Sequence, residues 1–331
     1  MEKDCKNKKI VAFGEIMLRL SPPDNSMIND ARLFSACYGG CESNVLVCLS
    51  CLGNETEFLT AIPDNELGNA VMKHLKSYDV GTKHIIQKGD ILGMYFLEEG
   101  FEARPSKVVY NRKYSEVSRL SENVFDFDEI FEECNIFHIS GISFALSESV
   151  KKLCFQLMME AKKRNIIVSF DFNYRKKLWT EEEASKVYKE VVKYVDILFC
   201  SENDLRDFLD TDITNFYHEC NSKYLIVRER IANSSRKHTA KATVYYKKEN
   251  RIESISSDNL EINVLERIGS GDAFVGGVLH SLNRNPDDIK KALDFGTSCF
   301  ILKHTLKGDV FTLDEKTVIE HFISKSKDVK R

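Results

Sequence analysis

The chain has 331 residues, of which 43% are hydrophobic, so it is long enough to bury a large core in one or two domains. Its formal net charge of −4 gives no reason to expect nucleic acid or a membrane surface as a partner. Apolar runs stay below the roughly 18 residues of a transmembrane helix and the amino terminus is polar, so we expect a cytoplasmic protein without a signal peptide.

The amino-terminal part of the chain predicts strands and helices in turn. Lys9–Gly14 is an apolar run that predicts a buried strand, and Gly39-Gly40 opens an apolar helix that ends at Leu52. The segments 16–20 and 32–38 alternate polar and apolar residues, which predicts strands with one exposed face. Beyond them we expect a strand over 57–60, a helix over 65–78 and a strand over 84–87.

The second half of the chain predicts a parallel sheet. From residue 121 onward, predicted strands (135–139, 166–171, 196–200 and 223–228) alternate with predicted helices (148–164, 181–194 and 202–209). They are followed by a hairpin (239–247 with 251–256), a short extended segment (261–267) and three helices (271–282, 287–303 and 314–324). Strand–helix alternation with short connections indicates a parallel sheet covered by helices on both faces, which is an α/β fold.

Four predicted strands do not fit that alternation. The segments 92–98 and 107–113, joined by the polar connector 100–106, predict a hairpin. Together with 16–20 and 32–38, they predict a small second sheet that is built from two excursions out of the main domain.

Two glycines and a carboxylate stand together at a predicted helix start, in Ile268-Gly269-Ser270-Gly271-Asp272-Ala273-Phe274. Glycines let the backbone turn and expose consecutive N–H groups, and a helix N-terminus adds partial positive charge, so the segment suits a phosphate. An aspartate beside a phosphate needs another task, and taking the proton of an attacking hydroxyl is the obvious one. The alternative is that Asp272 only caps the helix.

Cysteines are numerous: the chain has ten, and Cys37, Cys41, Cys48 and Cys51 lie close together. Cys48 and Cys51 form a C-x-x-C pattern, but the sequence has no second C-x-x-C or paired histidine to complete a zinc site. We therefore expect reduced, buried cysteines that behave as small hydrophobic residues.

The segment at 268–274 and a second one, Gly39-Gly40-Cys41-Glu42-Ser43-Asn44, resemble the two signatures of the ribokinase-like (PfkB) carbohydrate kinases in order and separation. The resemblance runs over essentially the whole chain. It implies a single kinase domain over residues 1–331, with a three-layer αβα core and a β-sheet lid formed by the segments 15–38 and 91–115. It also implies ATP and Mg²⁺ as cofactors and a homo-oligomer that assembles through the lid sheet.

Within this family, three segments resemble the kinases that phosphorylate the 6-hydroxyl of 2-keto-3-deoxygluconate: 104–112 (RPSKVVYNR), 171–179 (DFNYRKKLW) and 303–309 (KHTLKGD). Arg112 and Arg175 match positions that hold this acid, and a guanidinium matches a carboxylate, whereas a neutral sugar needs none. Two alternatives stay open: a kinase of a neutral sugar such as fructose or ribose, and a non-catalytic regulator that binds a sugar or a nucleotide. Asp272 argues against the second, since a degenerate site would not need that carboxylate.

The resemblance implies roles for individual residues. Asp272 is the expected general base, and the N–H groups of Gly269, Ser270 and Gly271 are expected to stabilise charge on the transferred phosphoryl group. The expected substrate-binding residues are Gly40, Asn44, Tyr95, Tyr110, Arg112, Asp171, Asn173, Arg175 and Asp309. The expected nucleotide-binding residues are Ser201, Arg228, Gly269 and Gly271, with Asp204 orienting a water on Mg²⁺.

Several of these residues have a structural alternative, and three segments depart from the family pattern. Singly, these residues are typical of helix starts (Gly40, Asn44), surface positions (Arg112, Arg175), sheet packing (Tyr95, Tyr110), strand caps (Asp171, Asn173) or a turn (Asp309). Glu266 stands where many relatives carry aspartate, and 201–204 has Ser and Asp where a metal motif has Asn and Glu. The segment 228–233 lacks the glycines of a nucleotide loop, which leaves the adenine contacts open.

Overall fold

The computed structural model describes residues 8–324 except 102–103, 221, 233, 235–236 and 250. Its strands are β1 (Lys9–Phe13), β2 (Met17–Ser21), β3 (Ser35–Gly39), β4 (Thr56–Ile62), β5 (Ile85–Gln87), β6 (Met94–Glu98), β7 (Lys107–Asn111), β8 (Cys134–Ser140), β9 (Ile167–Asp171), β10 (Ile197–Cys200), β11 (Tyr224–Ala232), β12 (Lys237–Lys248), β13 (Arg251–Ser256) and β14 (Leu260–Asn263). Its helices are α1 (Cys41–Cys51), α2 (Glu66–Lys76), α3 (Phe127–Ile130), α4 (Gly141–Phe144), α5 (Glu148–Lys163), α6 (Glu181–Val191), α7 (Glu202–Leu209), α8 (Ile213–Glu219), α9 (Ser270–Arg284), α10 (Ile289–Lys303) and α11 (Glu315–Ser324).

A ten-stranded sheet runs through the centre, in the order β13-β12-β11-β10-β9-β8-β1-β4-β5, with β14 paired to β12. Neighbouring strands from β5 to β11 are parallel, and those beyond β11 are antiparallel. Such parallel strands are buried on both faces, which explains their continuous apolar runs.

Helices cover both faces of this sheet, because successive side chains of a strand point to opposite sides. In β1, Val11 and Phe13 join the core formed with α5 to α8, whereas Ile10 and Ala12 join the core formed with α1, α2, α9 and α10. The predicted three-layer αβα fold is therefore confirmed. None of the helices in the described residues is long and apolar enough to cross a membrane.

A second sheet of four strands lies beside the first, in the order β3-β2-β6-β7. β6 and β7 form the predicted antiparallel hairpin, and β2 joins it through parallel pairing with β6. The small second sheet predicted from strands that break the alternation is thus present.

The structure departs from the predicted elements at several places, among them the short helices α3 and α4, which were not predicted. β11 continues through Ala232 and pairs with β12 up to His238, so 228–232, where the resemblance implies a nucleotide loop, is a strand, while Asn233 lies outside the described residues. The helix α8 was not predicted, because it is short and polar. Asp212 begins it, since its side chain accepts from the backbone N–H of Asn215 at 2.8 Å.

A buried tyrosine orders the end of β9, where part of the predicted site lies. The ring of Tyr188 stacks on Phe172 with centroids 4.4 Å apart, and its hydroxyl donates to the carbonyl oxygen of Phe172 at 2.6 Å. Phe172 stands between two predicted substrate-binding residues, Asp171 and Asn173. This one hydrogen bond therefore ties the loop that carries them to α6.

We expect Tyr188→Phe to lower the free energy of unfolding by about 1–2 kcal/mol, because a buried carbonyl oxygen loses its donor. Urea denaturation of the variant and the wild type measures this difference. Tyr114→Phe is the matched control, since the side chain of Tyr114 is exposed, and its unfolding should not change. Equal stability of the Tyr188 variant and the wild type would contradict this role.

Candidate active site

A cavity of about 460 Å³ lies between the small sheet and the carboxyl ends of the parallel strands, where ligands of open α/β sheets bind. The structure brings nearly all of the predicted site residues to its wall: Gly40, Asn44, Tyr95, Tyr110, Arg112, Asp171, Asn173, Arg175, Arg228, Gly269, Ser270, Gly271, Asp272 and Asp309. Of the predicted set, only Ser201 and Asp204 do not line this cavity.

Asp272 lies in the first turn of α9 and faces α1. Its carboxylate accepts a hydrogen bond from Asn44 Nδ2 at 2.7 Å and lies 3.5 Å from the thiol of Cys41. Burial raises the pKa of Asp272 from 3.8 to about 6, and the negative charge of Asp171 adds to this shift, whereas the bond from Asn44 opposes it. A carboxylate with a pKa near the working pH can both take and release a proton.

Residues 269–271, directly before Asp272, form the predicted anion cradle. Gly269 has φ +75°, and a Cβ there would lie 1.7 Å from the carbonyl oxygen of Asp309, so only glycine fits. The N–H of Ser270 donates to the carbonyl of Arg267 at 3.2 Å. The N–H groups of Gly269 and Gly271 are therefore the ones of the predicted three that are left for a ligand.

Two of the predicted cations already have carboxylate partners. Arg112 is buried and its Nη2 pairs with Glu15, whose other oxygen accepts the hydroxyl of Ser115 at 2.5 Å. Arg228 pairs with Asp171 at 2.6 Å. Both guanidinium groups are held in one direction, and a carboxylate of the protein balances the charge of each.

Two further guanidinium groups on the same cavity have no carboxylate partner among the described residues. Arg175 is exposed and donates only to the carbonyl oxygens of Asn173 and Tyr174, at 3.3 and 3.1 Å. Its charge acts on Asp272 and lowers the pKa of that carboxyl, against the larger effect of burial. Arg267 also lines the cavity, but it was not predicted as a site residue. Its position directly before the glycine motif, which begins at Ile268, could have indicated it.

A buried ionic cluster links the small sheet to the cradle. Arg19 of β2 pairs with Glu266 and, at 2.9 Å, with Asp309. Tyr95 of β6 donates to Asp309 at 2.6 Å, and Glu266 accepts the N–H of Gly308 at 2.7 Å. Glu266 stands where the family pattern has the shorter aspartate. Its side chain contacts both Arg19 of the small sheet and Gly308 of the loop behind the cradle.

Ser201 and Asp204 form a capping box at the start of α7. Asp204 Oδ2 accepts from both the N–H and the hydroxyl of Ser201, at 2.7 and 2.8 Å. Burial raises the pKa of Asp204, and the neighbouring Asp171 contributes. The described residues contain no group of three side chains that could hold a metal ion by themselves. The expected roles of Ser201 and Asp204 stay predictions.

A second cavity of about 310 Å³ adjoins the first and shares Asn173, Arg228, Ser270 and Gly271 with it. Its other walls are apolar (Ala240, Ala242, Phe274 and Phe300) or polar (Glu229, Lys241, Ser257 and Thr297). No sequence motif predicts this cavity, because its walls come from β12, α9 and α10, which lie far apart in the chain and contribute two or three residues each.

Comparison with known proteins identifies the family. Residues 7–314 match the family described as pfkB family carbohydrate kinase. The chain belongs to this family. It is a carbohydrate kinase with the fold predicted for it, and its cradle and Asp272 lie where the second family signature was recognised.

Three proteins that are similar to the chain are named as dehydro-deoxygalactono- or dehydro-deoxygluconokinases. The chain is 31% identical to the 2-dehydro-3-deoxygalactonokinase of Haloferax volcanii, over 93% of this chain and 95% of that protein. It is 24% identical to the 5-dehydro-2-deoxygluconokinase of Clostridium perfringens, over 99% and 96%. The crystal structure of the 2-dehydro-3-deoxygluconokinase of Thermotoga maritima has 34% identity and a TM-score of 0.89, covering 95% of this chain and 99% of that one.

We expect kcat/KM of the wild type to fall as the pH drops below about 6, because the carboxyl of Asp272 then becomes protonated and cannot accept a proton. Asp272→Asn should lower kcat by about 10²–10⁴-fold. A coupled assay of ADP release measures both.

The same variant should keep or gain stability at pH 8. The pKa of Asp272 is higher in the native state than in the unfolded chain, so the native state favours the protonated carboxyl. The free energy of unfolding therefore falls as the pH rises from 3.8 to about 6, where this carboxyl loses its proton. Asparagine does not titrate, so the variant avoids that loss. The gain is on the order of 1–3 kcal/mol and is read from thermal unfolding. Asp207→Asn, on the exposed part of α7, is the control. Wild-type turnover by Asp272→Asn would exclude the general-base role.

Proposed function

We propose that this carbohydrate kinase transfers the γ-phosphoryl group of ATP to the 6-hydroxyl of 2-keto-3-deoxygluconate, a sugar acid. The observation that carries the substrate class is Arg175, a guanidinium on the cavity of Asp272 with no carboxylate partner among the described residues. A ligand carboxylate supplies that partner through paired hydrogen bonds. A neutral sugar leaves the charge of Arg175 without one.

Asp272 is the proposed general base. It accepts the proton of the sugar hydroxyl, whose oxygen then attacks the γ-phosphorus while the bond to the ADP oxygen breaks. The N–H groups of Gly269 and Gly271 and the N-terminus of α9 stabilise the charge on the group in transfer. Asn44 holds the carboxylate in place through its 2.7 Å hydrogen bond.

The nucleotide is proposed to occupy the second cavity, with its adenine against the apolar wall of β12 and α10. Arg228 and Gly271 line both cavities, so phosphates at this junction meet a cation and a helix N-terminus. Mg²⁺ neutralises phosphate charge when it is bound. Asp204 is the proposed protein contact of this ion, through water, since its Oδ1 accepts no hydrogen bond from the described residues and Mg²⁺ keeps several waters.

The small sheet is proposed to act as a lid. It carries Tyr95, Tyr110 and Arg112 over the cavity, and closure on the sugar would exclude water from the phosphoryl group. Val109 of β7 is exposed, and so are Leu33 and Phe34 just before β3, which supports the expected homo-oligomer through this sheet.

A substrate panel tests the proposed function. Release of ADP is measured with 2-keto-3-deoxygluconate, its C4 epimer 2-keto-3-deoxygalactonate, 5-keto-2-deoxygluconate, fructose and ribose. We expect the highest kcat/KM with one of the 2-keto-3-deoxy acids, and the gluconate form is the one proposed. A higher kcat/KM with fructose or ribose would contradict the assignment of a sugar acid.

We expect Arg175→Ala to raise KM for the acid by about 10–100-fold, because a charge-assisted hydrogen bond of roughly 1.5–3 kcal/mol is lost. For fructose, if it reacts at all, KM should not change. Arg206→Ala is the matched control, since Arg206 lies on the exposed face of α7. An unchanged KM for the acid in the Arg175 variant would rule out its contact with the carboxylate.

A further inference from the structure

Lys303, the last residue of α10, is completely buried. Its ammonium donates to two backbone carbonyl oxygens, those of Gly308 at 2.8 Å and Leu306 at 3.3 Å. It forms no direct ion pair with a described residue. Transfer of an ammonium group out of water costs several kcal/mol unless nearby charges compensate it, so this lysine requires an explanation.

The side chain of Lys303 lies directly behind the anion cradle. A Cβ placed on Gly269 would lie 3.4 Å from Lys303 Cε and 1.7 Å from the carbonyl oxygen of Asp309. The loop that the ammonium binds, 306–308, is the same loop that presents Asp309 to Gly269. Lys303 itself does not line the catalytic cavity.

Four buried ionisable groups meet at this place, and their charges balance. Arg19 and Lys303 are the cations, and Glu266 and Asp309 are the anions. Burial lowers the pKa of Lys303, and the charges of Glu266 and Asp309 oppose that effect. Without the ammonium, the cluster would carry one net negative charge behind a cradle that has to accept a phosphoryl group. Charges in such a poorly solvated place act over longer distances than in water.

We propose that Lys303 is a positioning residue whose ammonium keeps this cluster neutral, so that the cradle stabilises the charge of the transferred phosphoryl group. The ammonium also holds the 306–308 loop against Gly269. The inference rests on the proposed role of residues 269–271 as the phosphoryl cradle. It does not depend on which sugar is phosphorylated.

The test compares Lys303→Met, Glu266→Gln and the double variant Glu266→Gln/Lys303→Met, using the sugar that the wild type phosphorylates fastest. Methionine removes the charge and keeps the length of the side chain. We expect kcat of Lys303→Met to be about 10–100-fold lower than that of the wild type, the size of effect that the loss of a charged hydrogen-bond partner has. KM for the sugar should stay within about twofold of the wild-type value. The double variant restores neutrality, so kcat should recover by at least about fivefold over the single variant.

Lys290→Met is the matched control, because Lys290 lies on the same helix and is paired on the surface with Asp294. Its kcat should equal that of the wild type. Wild-type kcat in Lys303→Met, a loss confined to KM for the sugar, or a double variant no faster than the single one would overturn the proposal. A purely structural role predicts the last of these results, because Glu266→Gln does not replace the hydrogen bonds of the ammonium.

Thermal unfolding completes the test. If Lys303→Met does not fold, the double variant decides: a folded protein with kcat at least one tenth of that of Glu266→Gln supports the charge-balance role. A double variant that also fails to fold contradicts it and leaves Lys303 a structural residue. Failure of the wild type on every sugar acid in the panel refutes the proposed substrate class, but not the role of Lys303.

Discussion

The site depends on one hydrogen bond, from Asn44 Nδ2 to the carboxylate of Asp272, which joins the two signature segments across 228 positions of the chain. It forms because α1 and α9 pack closely side by side. A Cβ on Gly276 of α9 would lie 2.7 Å from the sulfur of Cys48 of α1, so the glycine permits the approach. The same packing brings both helix N-termini to the cavity. Asp272, the cradle and Asn44 thereby share one support.

Charge in the walls of the cavity is mostly balanced before any ligand binds. Arg112 is matched by Glu15 and Arg228 by Asp171, and the cluster behind the cradle contains as many cations as carboxylates. Such pairs orient the side chains and limit the cost of burial. Positive charge without a carboxylate partner is therefore found at few positions on the cavity. One of them is Arg175, whose charge lowers the pKa of Asp272. The guanidinium groups without a carboxylate partner are the basis of the proposed selectivity for an anionic ligand.

Strong local patterns allowed the fold to be predicted, whereas the partners within the site depend on distant contacts. The apolar runs of β1 and β10 and the helix of Gly39-Gly40 follow from periodicity, and the small sheet followed from strands that break the alternation. Sequence also predicted that Arg112 and Arg175 would share a site, but not that Glu15 neutralises Arg112, since the order of residues does not encode which side chains meet. The second cavity and the buried Lys303 were missed for the same reason. The capping box of Ser201 and Asp204 is a local pattern, but the sequence analysis assigned these two residues to the nucleotide and the metal instead.

In the proposed complex, a sugar acid lies between Asp272 and Arg175 while a phosphate lies on residues 269–271. A crystal structure with 2-keto-3-deoxygluconate and a non-hydrolysable ATP analogue is the most direct test of this arrangement. We expect the 6-hydroxyl within hydrogen-bond distance of the Asp272 carboxylate, the γ-phosphate on the N–H groups of Gly269 and Gly271, and the sugar carboxylate on Arg175. A 6-hydroxyl turned away from Asp272, or a carboxylate remote from Arg175, would contradict it.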